Sequence, residues 1–372
     1  MGSRPFVEVP PGQETISVKM INAVNFGPAI IKRFMEPPVP GVEKKKPSPV
    51  LTFLLEHSSG KKIVFDLGIR KDYQNYAPVV ADYIPTTNYD IQVTKNVVDI
   101  LDESGIPGTD IDAVIWSHWH WDHIGDPSSF PSSTDLIVGS GFSDAMLPGY
   151  PANPKSPIRE SDYAGRNLQE IRFDGPNALR IGKFPAVDYF GDGSFYLLDS
   201  PGHAIGHLCG LARTTIDPPT FILMGGDICH YAGIFRPSRY MPVPPSISPH
   251  PCCPETDISF CPGGVFDGLQ QSRGRECTDS LYEMCFGHDV PRARETRDQL
   301  QELDCSEDIF VIIAHDATVR DAVDHFPLSL NDWKKKGWGK EVKWTFFRDL
   351  EPYWRAEGLL TELDEKESSN NL

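Results

Sequence analysis

Residues 117–123 read Ser117-His118-Trp119-His120-Trp121-Asp122-His123. The apolar segment Ile111–Trp116 runs directly into this stretch and is predicted to be a β-strand. Because residues two apart in an extended chain point the same way, His118, His120 and Asp122 can converge where the strand gives way to a loop. His123 would then approach from another direction. Imidazole nitrogens and one carboxylate are ligands typical of zinc and related metals, so the stretch predicts a metal centre.

The alternative for these side chains is a structural role without a metal. A single histidine on an apolar strand is usually an ordinary core or surface residue. Burying four polar side chains so close together without a metal would leave many hydrogen-bonding groups unsatisfied. The density of the cluster therefore favours metal binding.

Three more polar residues stand where predicted strands end. His203 follows a strand in a loop bounded by glycine and proline, Asp227 follows Phe221–Met224, and His315 follows Asp308–Ala314. Sites in layered folds commonly assemble at the carboxyl ends of strands. Each residue alone would be an ordinary loop residue, but beside the cluster their order along the chain becomes informative.

The predicted elements favour one domain over residues 1–372, with two sheets packed face to face and helices outside. The strands are expected at Ile16–Val24, Val50–His57, Lys62–Gly68, Ile111–Trp116, Asp135–Gly139, Ser194–Leu198, Phe221–Met224 and Asp308–Ala314, and the helices at Tyr89–Ser104 and Pro291–Leu303.

Two segments do not suit a compact core. Residues 235–289 hold eight prolines and five cysteines, which predicts a long irregular insertion. This insertion would be either a lid over the site or a surface loop without a role. Whether any of these cysteines form disulfides stays open at this point: Cys252, Cys253, Cys261, Cys277 and Cys285. Residues 352–372 are expected to form a polar C-terminal tail.

Composition narrows the partners and the location. The net charge of −17 over 372 residues argues against general nucleic-acid binding. The one tight basic run, Lys44–Lys46, is interpreted as a solvated loop. No apolar segment suits a signal peptide or a membrane span, so we expect a cytoplasmic protein without a membrane partner. The oligomeric state is not readable from the sequence.

The ordered pattern resembles the metallo-β-lactamase superfamily, in which His-x-His-x-Asp-His is followed by single His, Asp and His ligands. The resemblance implies an α+β fold, the four-layer αβ/βα sandwich, and two divalent metal ions, with zinc favoured by the ligand types. It implies one metal held by His118, His120 and His203 and a second metal held by Asp122, His123 and His315. Asp227 would bridge the two metals, and Asp66 would be a structural aspartate near them.

Particular residues narrow the branch. His120 disfavours the oxygen-reducing di-iron branch, which has a carboxylate there, and Asp227 disfavours zinc β-lactamases that use cysteine. The runs at 225–231 and 314–317 most resemble N-acyl homoserine lactonases and fungal lactonases and γ-lactamases. The family's spacing places the ligand at His203 and leaves His207 as a supporting or packing residue.

The resemblance implies a detoxifying hydrolase that opens a small-molecule cyclic ester or amide, such as a benzoxazolinone, by attack of a metal-bridging hydroxide. Asp122 would shuttle a proton, and Tyr231 or His230 would donate a hydrogen bond to the oxyanion. Lactonases carry a tyrosine three residues after the bridging aspartate, where this chain has His230. Acyl-homoserine lactone itself is therefore a poorer expectation than another lactone or a γ-lactam.

Two rival functions stay open. The first is an acyl thioesterase of the polyketide-releasing type, for which Arg236 and Arg239 are the best candidates for a carrier-protein patch. The second is a non-catalytic metal-binding module. Trp119 and Trp121 alternate with the predicted ligands, so both are expected to face away from the metals, with core packing as the favoured role and pocket lining as the alternative.

Overall fold

The computed structural model describes residues 4–360 and contains the following elements. The strands are β1 (Ile16–Gly27), β2 (Ala29–Ile30), β3 (Met35–Glu36), β4 (Lys44–Lys45), β5 (Ser48–His57), β6 (Lys62–Phe65), β7 (Asp90–Gln92), β8 (Ala113–Ile115), β9 (Asp135–Val138), β10 (Leu168–Glu170), β11 (Ala178–Ile181), β12 (Phe184–Asp188), β13 (Phe195–Asp199), β14 (Leu208–Ile216), β15 (Pro219–Met224), β16 (Glu283–Met284) and β17 (Ile309–Ile312). The helices are α1 (Pro78–Ala81), α2 (Val97–Glu103), α3 (Trp121–Ile124), α4 (Phe142–Met146), α5 (Glu160–Tyr163), α6 (Gly263–Ser272), α7 (Val290–Asp304), α8 (Ala317–Ala322), α9 (Trp333–Lys336), α10 (Trp338–Glu341) and α11 (Glu351–Ala356).

Two large sheets form the centre of the fold. The first has seven strands in the order β10-β9-β8-β6-β5-β1-β7, and the second has six in the order β11-β12-β13-β14-β15-β17. In the first sheet β6, β8, β9 and β10 are parallel, and in the second β15 and β17 are parallel. Two short ribbons, β2 with β4 and β3 with β16, lie outside these sheets.

The core between the sheets follows the period of two that a strand imposes. Val18 and Phe53 of the first sheet belong to the same buried cluster as Ile222 and Ile312 of the second. Their neighbours point the other way, so Leu54 joins a separate cluster that includes residues of α2. Helix α7 packs on the outer face of the second sheet, beside β17. The expected four-layer αβ/βα sandwich is therefore confirmed.

The strand predictions agree with the structure within a few residues, but the predicted helix Tyr89–Ser104 was too long. Residues 90–92 instead form β7, which pairs with the end of β1. The helix begins only after Asn96, whose backbone is extended and whose amide donates to Asp99 Oδ2 at 2.9 Å. This local cap fixes the start of the helix, which apolar spacing alone placed too early.

The segment 235–289 is more ordered than its prolines suggested. It contains the ten-residue helix α6, and Phe266 and Leu269 on that helix are buried in the core outside the second sheet. Cys252, Cys261, Cys277 and Cys285 carry free thiols.

The expected polar tail at 352–372 was wrong in its first part. Tyr353 and Trp354 lie in α11 and are buried, with the Trp354 indole donating to the Phe347 carbonyl at 2.8 Å. Residues 361–372 lie outside the described part of the chain. Within residues 4–360 no helix has the length and apolar character needed to cross a bilayer.

Candidate metal centre

The loops that follow four strands meet at one edge of the sandwich. His118 and His123 follow β8, His203 follows β13, Asp227 follows β15, and His315 follows β17. All five side chains are buried. Helix α3 begins at Trp121 and turns the chain back, so His123 reaches the same space as His118 from a different direction. The predicted candidates are thus brought together by strands far apart in sequence.

The first group consists of three histidines and one aspartate: His118, His120, His203 and Asp227. Their ligand atoms all lie within 4.8 Å of one another. His203 Nε2 is 2.9 Å from His120 Nδ1 and 3.2 Å from His118 Nε2. His203 Nε2 is also 3.5 Å from Asp227 Oδ2. Three imidazoles around one carboxylate make a donor set suited to a divalent metal ion.

The second group consists of two aspartates and two histidines: Asp122, His123, Asp227 and His315. Their ligand atoms likewise lie within 4.8 Å of one another. His315 Nε2 is 3.1 Å from Asp227 Oδ1 and 3.4 Å from Asp122 Oδ2. His123 Nε2 is 3.3 Å from Asp227 Oδ1. Asp227 therefore belongs to both groups, with one carboxylate oxygen turned toward the histidines of each.

Unpartnered polar atoms support the fit to metal ions. Within residues 4–360, His123 Nε2 and Asp227 Oδ1 are both buried and lie 3.3 Å apart, yet neither atom makes a contact with the geometry of a hydrogen bond. Buried polar atoms in native proteins are almost always satisfied. The residues present therefore fit divalent metals held between the side chains.

Asp66 and Ser117 support His123 on the side that faces away from the site. Asp66 Oδ2 accepts from His123 Nδ1 at 2.8 Å and from Ser117 Oγ at 2.7 Å, while Asp66 Oδ1 accepts from the Ser117 amide at 2.6 Å. The ring nitrogen facing Asp66 carries the proton, so the other nitrogen is free to face the site. Asp66 has a φ of 61°, a conformation that aspartate and asparagine tolerate better than most residues.

This contact leads to the first prediction. Asp66→Asn keeps the side-chain size and the tolerated backbone conformation but removes the carboxylate charge behind His123. We expect metal affinity to fall about 10- to 100-fold, because partners of ligating histidines set ring orientation and basicity. Competition with a fluorescent zinc chelator would measure the change. An unchanged affinity would contradict the role assigned to Asp66.

Two further histidines differ in role, because His315 faces the site and His207 supports the backbone beside it. His315 Nδ1 donates to the Pro49 carbonyl at 2.9 Å, which turns its Nε2 toward Asp227. His207 instead uses both ring nitrogens elsewhere: Nδ1 bonds Ser200 Oγ at 2.8 Å, and Nε2 accepts from the Asp227 amide at 3.1 Å. His207 therefore holds the backbone of Asp227 in place, and His203 is the residue within the first group.

Burial and charge set the protonation of the cluster. Burial lowers the pKa of His118 and His203 well below the usual range and that of His120 to about 4, so these rings are neutral and able to bind a metal. Burial would also lower the pKa of His315, but Asp227 and Asp122 raise it to about 9. Burial opposes ionisation of Asp227, yet His315 and His123 hold its pKa well below normal.

A cavity opens onto the second group, and six phenylalanine, tyrosine and tryptophan side chains contribute to its walls. Its lining residues are Phe26, Ala29, Arg33, Phe34, Met35, Lys45, Ser48, Tyr83, Tyr89, His120, Trp121, Asp122, Asp227, His230, Phe286 and His315. Trp121 starts α3 and has both of the roles considered for it, because it lines this cavity and also packs against the outer core of the first sheet. Trp119 packs against the outer core of the first sheet, as expected.

Several wall residues could not be found from sequence patterns. Phe34 and Phe286 contact each other with ring centroids 5.2 Å apart, although one precedes β3 and the other ends the segment 235–289. Lys45 was assigned to a solvated loop, but it lines the cavity and its desolvation lowers its pKa to about 8. The only available signal was the extended run Lys44–Lys46, in which alternate side chains point to opposite sides.

The structure separates the two residues considered for oxyanion contact. His230 lines the cavity, and its Nε2 lies 3.3 Å from Asp227 Oδ2. Tyr231 is extended, with φ −161° and ψ 141°, so its side chain points the opposite way. Its hydroxyl donates to the Phe346 carbonyl at 2.8 Å, and it does not line this cavity. The structure brings only His230 to the site.

The basic patch considered for a carrier protein is not formed. Arg236 is buried, and its guanidinium pairs with Asp304 at 2.6 Å. Only Arg239 of the pair is exposed. A buried guanidinium that already has a carboxylate partner is not available to a docking protein.

The chain also resembles known proteins. The Metallo-beta-lactamase superfamily matches residues 46–213. The chain is 41% identical over 358 residues to Gamma-lactamase FDB1 of Fusarium pseudograminearum, with 94% of this chain and 86% of that protein covered. It is 41% identical over 355 residues to Metallo-hydrolase mfmC of Annulohypoxylon moriforme, with 94% and 91% covered. It spans 39% of the length of three longer Penicillium relatives.

A solved structure has the same fold. The crystal structure of a B. thuringiensis AiiA variant with N-decanoyl-L-homoserine bound matches with a TM-score of 0.54 and 17% identity, covering 86% of this chain and 100% of that one. The named relatives are hydrolytic enzymes, and their likeness extends over nearly the whole chain. This hydrolytic enzyme, with its paired histidine and aspartate groups suited to divalent metal ions, belongs to the metallo-β-lactamase superfamily.

Proposed function

We propose that the protein is a dinuclear metal-dependent hydrolase that opens a lactone or γ-lactam ring. The observation that carries this proposal is the position of Asp227, whose carboxylate is shared by two complete ligand groups. A shared carboxylate is suited to hold two ions at the short separation used by two-metal hydrolases. Relatives named as γ-lactamases, and others named as N-acyl homoserine lactonases, support a cyclic amide or ester as substrate.

Two divalent ions, zinc by ligand type, would supply a hydroxide near neutral pH and polarise the ring carbonyl. Asp122 belongs to the second group and also lines the cavity, so its carboxylate can take a proton from the attacking water and pass it on. His230 is placed beside Asp227 to donate a hydrogen bond to the carbonyl oxygen as negative charge develops there.

The walls of the cavity support a flat substrate. Phe26 lies edge-on to both Tyr89 and Trp121, with ring centroids 5.3 and 5.8 Å apart. Phe34 and Phe286 form the other aromatic pair. Such walls bury planar apolar rings and exclude water from the reacting carbonyl. A lactone or lactam fused to an aromatic ring, of the benzoxazolinone type, fits these walls better than a long flexible chain.

The test combines metal analysis with a substrate panel. We expect about two divalent ions per chain, and hydrolysis of at least one aromatic-fused lactone or γ-lactam that stops on chelation and returns with added zinc. Metal content measured by plasma mass spectrometry and ring opening followed by absorbance would check both. Bound metal well below two per chain, with hydrolysis unaffected by chelation, would contradict the proposal.

The same panel separates the rival functions. Acyl thioesters belong in it, because preference for them would point to a thioesterase. The buried state of Arg236 does not favour that outcome. Metal binding without hydrolysis of any panel member would instead point to a binding module.

A further inference from the structure

We propose that Lys45 is a catalytic residue, whose ammonium stabilises the negative charge on the atom that leaves the carbonyl when the ring opens. This inference rests on the proposed ring-opening function and concerns the same cavity. It assigns a role to a residue from an N-terminal ribbon, distant in sequence from every predicted metal ligand.

The ribbon β2–β4 places Lys45 over the site. Lys45 pairs with Ala29, and both residues line the cavity. Its neighbours Lys44 and Lys46 are exposed, as expected for adjacent positions in an extended strand. One lysine of a three-lysine run is therefore turned into the protein while the other two remain in solvent.

The ammonium contacts the backbone of two of the three loops that carry second-group ligands. Lys45 Nζ donates to the His230 carbonyl at 2.5 Å and to the His315 carbonyl at 3.1 Å. An ammonium has three N–H donors, so one is left for another acceptor. Asp316, Asp349 and Asp227 attract the Lys45 ammonium electrostatically, but within the described part of the chain none of them forms an ion pair with it. Asp227 also lines the same cavity.

A partly buried cation with no carboxylate at ion-pair distance is costly to keep, and lysine is uncommon in such a place. The two carbonyl dipoles and the nearby carboxylates offset part of this cost, and the third donor remains for a ligand in the cavity that Lys45 lines. When the carbon–oxygen or carbon–nitrogen bond of the ring breaks, its electron pair moves onto the leaving atom. A hydrogen bond from Lys45 to that atom lowers the energy of the charged state, and the atom then receives the proton that Asp122 took from the attacking water.

The kinetic test compares Lys45→Met with Lys46→Met, which removes the same charge one residue away from an exposed side chain that is 63% accessible. Two substrates separate leaving groups: dihydrocoumarin releases a phenol, and phthalide releases a less acidic alcohol. For Lys45→Met we expect kcat on phthalide to fall about 100- to 1,000-fold, and kcat on dihydrocoumarin about tenfold or less. Lys46→Met should match the wild type, and Lys45→Arg should recover part of the phthalide activity.

Binding to the metal-free protein gives an independent measurement. We expect wild type and Lys46→Met to bind 4-nitrophenolate about tenfold more tightly than Lys45→Met does, while all three bind neutral 4-nitroanisole alike. Equilibrium dialysis would give these affinities, and Lys45→Gln replaces Lys45→Met if the latter does not fold.

Four outcomes would overturn the assignment. Equal kinetic loss on both substrates, accompanied by reduced metal content, would make Lys45 only a structural support for the ligand loops. Equal binding of 4-nitrophenolate by wild type and Lys45→Met would remove the anion contact. If the wild type is active but Lys45→Met shows no selective loss of phthalide hydrolysis, only the Lys45 assignment is contradicted. If the wild type hydrolyses no lactone or lactam of the panel, the proposed function is contradicted as well.

Discussion

Asp227→Ala should abolish ring hydrolysis, lowering kcat/KM by about 1,000-fold or more, because it removes the one carboxylate shared by both ligand groups. The loss should come with the loss of both metal ions, since each group then keeps only three donors and no common carboxylate. The cluster would also lose the negative charge that balances His123 and His315, whose pKa values it raises. Hydrolysis rates and metal content of the purified variant would measure both effects.

Two matched variants make this prediction specific. His203→Ala removes a ligand of the first group only, so we expect one metal ion to be lost and the other retained. Asp267→Ala removes an exposed aspartate of α6 and should leave metal content and hydrolysis unchanged. If Asp227→Ala kept both metal ions, or lost no more metal than His203→Ala, the proposal that Asp227 holds both ions would be contradicted.

The metal-ligand cluster could be predicted because its residues are close together in the sequence. His118, His120, Asp122 and His123 lie within one short stretch, so their convergence needs only the geometry of a strand that ends in a turn. The distant candidates could be proposed because the carboxyl ends of strands meet at one edge of a layered fold. The order of the predicted strands and helices indicated two sheets packed face to face, and the family resemblance implied the four-layer sandwich.

The walls of the cavity could not be predicted in this way. Phe34, Lys45 and Phe286 come from segments whose positions depend on packing between distant parts of the chain. Sequence adjacency was misleading at Tyr231, because the extended backbone turned it away while His230 faced the site. Arg236 looked like a surface cation, and only the approach of α7 and Lys343 reveals its buried partner.

The largest expected effect on stability concerns that buried partner. Asp304 Oδ1 and Oδ2 accept from the Arg236 guanidinium at 2.6 and 2.8 Å, and Lys343 Nζ lies 3.2 Å from Oδ1. Asp304→Ala would leave two cations without their carboxylate in the core. We expect the free energy of unfolding to fall by about 3–5 kcal/mol, because a buried charge that loses its partner is strongly destabilising. Urea unfolding followed by tryptophan fluorescence would measure the change.

The pH dependence and two comparisons test this interpretation. Burial opposes ionisation of Asp304, but Arg236 and Lys343 lower its pKa from 3.8 to about 2, so its contribution is complete above about pH 4 and is lost as pH falls toward 2. The difference in the free energy of unfolding between wild type and Asp304→Ala should become smaller over that interval.

Two comparison variants test the same interpretation. Asp174→Ala breaks an ion pair whose side chains are both 77% exposed, and it should lower the free energy of unfolding by no more than about 0.5 kcal/mol. The double variant Arg236→Met with Asp304→Leu should be more stable than Asp304→Ala, because it removes the stranded guanidinium. An Asp304→Ala effect as small as that of Asp174→Ala would mean that the buried pair contributes no more than a surface contact.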